Sequence, residues 1–131
     1  MSKGDKVSNS VVVAIAFIVL SSLGAFIRFK LTTAQSGFPW MTLLVNMLGC
    51  FLIGFIFYMK ESGEIKEAAW VLVAIAFLGA MTTFSSFSLD MLKLISEKSY
   101  LASLNYFFLS NFLGVLLCFA GFKLASKLIN A

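Results

Sequence analysis

Four runs without a single charged residue, Val7 to Ile27, Leu31 to Met59, Ala68 to Leu89 and Ser99 to Phe122, divide this chain. Each matches or exceeds the roughly 20 residues that a helix needs to cross about 30 Å of hydrocarbon. Over 131 residues the mean hydropathy is +0.98 and only 12% of residues are charged, far from the usage of a soluble domain. The expectation is an all-α integral membrane protein, a single domain of four transmembrane helices over residues 7–28, 38–59, 68–90 and 99–123. Lys3 and Lys6 precede the first run as they would in a signal peptide. That run outlasts an h-region of roughly 7–15 residues and has no clear small-x-small cleavage site, so it reads as a span.

Four spans place the N-terminus, the middle loop and the C-terminus on one side of the membrane. Lys3, Lys6, Lys60, Lys66, Lys123 and Lys127 fall there, against Arg28, Lys30, Lys93 and Lys98 on the other side. Adding Asp5, Glu61, Glu64 and Glu67 to the first side, and Asp90 and Glu97 to the second, brings both to +2. Such a balance leaves orientation almost undetermined. The chain could insert both ways and pair as an antiparallel dimer, the second copy standing in for the inverted repeat of larger transporters. A single orientation is the ordinary alternative.

The polar inventory inside the spans excludes most chemistry. The chain has no His, and no Asp or Glu lies within an apolar run. Catalytic triads, zinc sites and carboxylate proton relays are therefore unsupported, and the chain does not read as an enzyme. Its net charge of +4 is scattered over helix ends, which suits lipid headgroups rather than nucleic acid. Cys50 and Cys118 fall inside spans, where thiols act as small apolar groups.

What remains is neutral and small. Thr42 and Asn46 stand four apart on one face of the second span, with Gly49 a turn further on. Tyr106, Ser110, Gly114 and Cys118 make a four-residue stripe in the fourth. Either stripe, taken alone, reads first as helix packing with polar glue. Arg28, at the end of the first span, reads first as a snorkelling residue, and second as a guanidinium drawing anions to a vestibule.

The third span is different. In "GAMTTFSSF" the hydroxyls of Thr82, Thr83, Ser85 and Ser86 compete with the backbone ladder, and Gly79 removes a side chain just upstream. A helix broken in mid-membrane is expected. Its freed carbonyls must be satisfied by protein or line a polar site, and at a dimer axis they could cage one dehydrated monovalent cation. Phe84 and Phe87, three apart, share a face. Ring edges carry partial positive charge and offer an anion contacts weak enough to release.

These motifs resemble the Fluc (CrcB-type) fluoride channel family. The resemblance covers essentially the whole chain: "GAFIR" from Gly24, "TLLVNMLGCFLIG" from Thr42, "GAMTTFSSFSLD" from Gly79, and Tyr-x-x-x-Ser-x-x-x-Gly from Tyr106. It implies a dual-topology antiparallel homodimer in a bacterial inner (plasma) membrane, with two fluoride pores and a central structural sodium ion. By position, Phe84 and Phe87 match the family's phenylalanine box and Asn46 its pore asparagine. Gly79 and Thr82 match the positions whose backbone carbonyls hold sodium. Thr83, Ser86, Thr42, Tyr106 and Ser110 resemble polar positions along the path, and Arg28 and Asp90 vestibule or structural positions. Two departures stand out: Ala80 replaces the second glycine of a familiar pair, and Asp90 replaces a more familiar glutamate. The implied activity is passive export of fluoride down its electrochemical gradient. A small multidrug-type transporter would need a membrane-embedded carboxylate, which every span lacks. A noncatalytic membrane assembly subunit would leave the clustering of Asn46, the hydroxyls and the Phe pair unexplained.

Overall fold

The computed structural model describes residues 3–33, 35 and 37–130, with side chains from Ser10 onward. Lys3, Asp5 and Lys6, which enter the charge balance, have side chains outside the described residues. Helix α1 covers Lys3–Thr32 and α2 covers Trp40–Glu61. The third crossing, Glu67–Ser96, consists of two helices, α3 over residues 67–81 and α4 over Phe84–Ser96. Helix α5, Tyr100–Ile129, makes the fourth. All four crossings are long and apolar enough to span a membrane.

Charged residues end the hydrocarbon run without ending the helix. Helix α1 continues past Arg28 and Lys30 to Thr32, whose hydroxyl returns to the Arg28 carbonyl at 2.9 Å. Helix α2 runs past Lys60 and stops where Gly63 adopts φ +80°. There the Gly63 and Glu64 amides close onto the carbonyls of Lys60 and Met59, at 3.1 and 2.9 Å. This is the paired 5→2 and 6→1 closure of a Schellman motif. Helix α4 ends the same way, the Lys98 and Ser99 amides meeting the carbonyls of Ile95 and Leu94, although Lys98 takes φ +57° without being glycine.

Glycines set the packing. Helix α2 lies along the second half of α5, where a Cβ on Gly54 would overlap the Cys118 carbonyl and one on Gly121 would overlap that of Phe51. Helix α1 packs on α3, with Gly24 against the Phe77 carbonyl. Close backbone approach through small residues is the usual basis of helix association where lipid removes the hydrophobic driving force. One apolar cluster, Leu43, Met47, Phe87, Leu94 and Tyr106, joins α2, α4 and α5. A second, Val45, Leu78 and Met81, joins α2 to α3. Both α3 and α5 contain a stretch of π winding, Val71–Leu78 and Leu109–Leu113.

Candidate ion pathway

The break in the third crossing is two residues long. Thr82 (φ −80°, ψ 155°) and Thr83 (φ −153°, ψ 121°) are extended between α3 and α4. Its polar groups are met from three directions. The Thr82 hydroxyl and amide both return to the Leu78 carbonyl, at 3.0 and 2.9 Å. Thr83 caps α4: its hydroxyl accepts the Ser86 amide at 3.1 Å and contacts the hydroxyls of Ser86 and Ser85 at 3.1 and 3.2 Å. Asn46 reaches over from α2 and pairs with the Thr83 backbone in both senses. Its Oδ1 accepts the Thr83 amide at 2.8 Å, and its Nδ2 donates to the Thr83 carbonyl at 3.1 Å. Gly49, one turn along α2, makes room for the Thr82 methyl.

This arrangement redirects two donors. In an unbroken helix the amides of Thr83 and Ser86 would close onto the carbonyls of Gly79 and Thr82. Here Asn46 takes the first and the Thr83 hydroxyl takes the second. Both carbonyls lose their helical partners at the depth where lipid offers no replacement.

Beside the break lies an open cavity of about 450 Å³. It gathers Asn46, Gly79, Thr82, Thr83, Phe84 and Phe87 with Ser110 of α5, and no charged residue lines it. The Ser110 hydroxyl is shielded and has no hydrogen-bond partner among the described residues. The two phenylalanine rings are 5.4 Å apart and differ sharply in setting: Phe84 is 76% exposed and Phe87 only 7%. Phe84 faces out of the chain, whereas Phe87 begins an aromatic file through Tyr106 (5.2 Å) to Phe38 (5.6 Å).

Thr42, Ser86 and Asp90 border a second hollow, together with Gln35 and Lys93. Thr42 and Tyr106 are fully buried. Asp90, also buried, faces the Tyr106 hydroxyl at 3.5 Å and the Lys93 amine at 3.8 Å. Gln35 holds this end of α2: its Oε1 accepts the Met41 and Thr42 amides at 3.1 and 3.4 Å, and its Nε2 donates to the Thr42 hydroxyl at 2.7 Å. Pro39 supplies no cap of its own there. Arg28 borders neither hollow.

Apart from Arg28, the sequence-predicted residues thus fall into two places, a cavity at the break and a second hollow beside Asp90, with Tyr106 buried against Phe87 and Asp90. Gln35 was missed because it lies in the connection between α1 and α2 and accepts from backbone amides, which carry no sequence signal. Asn111, which also lines the cavity, carried a readable signal: an amide inside an apolar run.

The family described as CrcB-like protein, Camphor Resistance (CrcB), matches residues 15–122. A Thermus thermophilus protein named fluoride-specific ion channel FluC is 39% identical over 89% of this chain and 90% of its own. Proteins of the same name from Oceanobacillus iheyensis and Acidithiobacillus ferrooxidans are 36% and 40% identical. The first alignment covers 79% of this chain and 83% of the relative, the second 80% and 90%.

Proposed function

The chain belongs to the CrcB family, and from that membership and the cavity at the helix break we infer that it is a multi-pass membrane channel selective for fluoride. The observation that carries this reading is the cavity itself. It brings two phenylalanine rings, the Asn46 amide and the Ser110 hydroxyl, which has no partner among the described residues, together with no fixed charge. Fluoride is small and strongly hydrated, so a selective path must replace water with close, individually weak donors. A full cation would hold the ion; neutral donors let it leave. Asn46 keeps one Nδ2 proton beyond its bond to Thr83, and that proton is the amide's contribution to the anion.

The path runs from the mouth at Thr42, Ser86 and Asp90, past Tyr106, to Thr83, Ser110 and the Phe84–Phe87 pair. Arg28, set apart on α1, belongs to the membrane surface, where it draws anions or anchors to headgroups. Flow is passive and outward from a bacterial plasma membrane, relieving fluoride that enters as the neutral acid. Membership of a channel family, not of an enzyme family, sets aside catalysis, multidrug exchange and a purely structural assembly role.

The open side of the cavity and the 76% exposure of Phe84 favour a second copy as the missing wall. The balanced charges favour an antiparallel arrangement, which gives two pores per dimer. Sodium fits the break: the carbonyls of Gly79 and Thr82, stripped of their helical donors, would hold it, and its charge would offset their mutual repulsion at the dimer axis.

The test is efflux from proteoliposomes loaded with fluoride or chloride. Rapid fluoride release with little chloride release is expected. Absence of fluoride release from a dimeric preparation rejects the channel.

A further inference from the structure

Asn111 lines the same cavity as Ser110, and the two are consecutive in α5. Consecutive residues share this cavity on α2 as well, where Asn46 and Met47 both line it. Ser110 and Asn111 sit in the π-wound stretch Leu109–Leu113. A π turn takes in an extra residue, so successive side chains fan out less, and such turns recur at functional sites.

The amide is only partly satisfied. Asn111 Nδ2 donates one proton to the Phe107 carbonyl at 2.8 Å, which fixes the amide plane. Its second N–H and its carbonyl have no hydrogen bond among the described residues. Its neighbours Phe112 and Leu113 are exposed and apolar, as is Leu109. An exposed amide among lipid-facing groups is costly unless something polar meets it.

We propose that Asn111 is a further anion-contacting residue, its free amide N–H standing beside the Ser110 hydroxyl and supplying the path with a donor from α5 opposite that of Asn46. The proposal rests on the channel reading. Asn46 is committed on both its polar atoms to Thr83, so a second amide with an uncommitted N–H meets an ion that Asn46 reaches with a single proton. Its tether to Phe107 keeps the amide in place when no ion is present.

The test compares the wild-type chain with Asn111→Leu and Asn111→Gln in phosphatidylethanolamine and phosphatidylglycerol vesicles loaded with potassium fluoride. Efflux is read with a fluoride electrode after a potassium ionophore is added, and assembly by cross-linking in detergent. Asn111→Leu, similar in size but without a donor, is expected to lower fluoride efflux about tenfold or more with the dimer intact, while Asn111→Gln retains it to within about threefold. Efflux from Asn111→Leu within about threefold of the conducting wild type overturns the proposal and leaves the channel reading standing. Loss of the dimer in both variants also overturns it, since Asn111 then serves contact between copies. If only Asn111→Leu fails to assemble, Asn111→Asp decides: it keeps the shape, replaces the N–H donor with a carboxylate, and should abolish flux, unchanged flux overturning the role. A silent wild type overturns the channel reading, and this proposal with it.

Discussion

Asn46 carries both hydrogen bonds that hold the Thr83 backbone at the break. Asn46→Leu leaves an N–H and a carbonyl unpaired at membrane depth, each costing about 1–3 kcal/mol. Chemical unfolding in detergent should show that loss, and Asn46→Asp, which sets a carboxylate against the Thr83 carbonyl at membrane depth, should be destabilised too. Phe84 and Phe87 separate function from packing. Phe84→Ile removes a ring that is 76% exposed, so fluoride efflux should fall with the stability of the fold nearly unchanged. Phe87→Ile removes one packed on Tyr106. It should reduce efflux and also destabilise by about 1–3 kcal/mol. Equal stability losses in the two variants would contradict this division.

At the scale of elements, the α2–α5 seam and the helix ends make opposite predictions. Gly54 and Gly121 each face backbone carbonyl atoms of the partner helix, which cannot rotate aside as a side chain can. Gly54→Ala or Gly121→Ala should force the helices apart and cost about 1–3 kcal/mol, read as a lower midpoint in a denaturant titration. Lys98, at φ +57°, occupies a left-handed closing position that glycine adopts freely. Lys98→Gly should therefore stabilise α4 by about 0.5–1 kcal/mol, provided the Ile95 and Leu94 carbonyl bonds persist. A destabilised Lys98→Gly would mean that the lysine holds the loop in some other way. The break between α3 and α4 shows why two threonines do what one cannot: Thr82 closes the upstream turn and Thr83 opens the downstream one.

For the whole molecule, the decisive quantity is the nearly even charge on the two sides of the membrane. Adding three lysines to the loop after Glu61 should drive that loop to the cytoplasmic side. If function needs both orientations, fluoride efflux should collapse in this variant and return when it is co-expressed with a copy carrying extra lysines beside Lys93 and Lys98. Full efflux from the biased variant alone would argue for a parallel or single-orientation assembly.

Charge and hydropathy alone define the class, because burying an unbroken run of apolar residues in lipid leaves a helix little alternative. The four crossings were legible there, and the break was legible in the hydroxyl run. Helix ends were not: α1, α2 and α4 run on past Arg28, Lys60 and Asp90, because leaving hydrocarbon does not by itself interrupt a hydrogen-bond ladder. Nor could spacing reveal that Asn46 reaches across 37 residues to the Thr83 backbone, or that Gln35 caps α2. The sequence by itself determined what must lie in the membrane and which neutral groups it carries there. Only the tertiary structure decided which of them meet, since that depends on glycine-set helix approach and on backbone groups that any residue possesses.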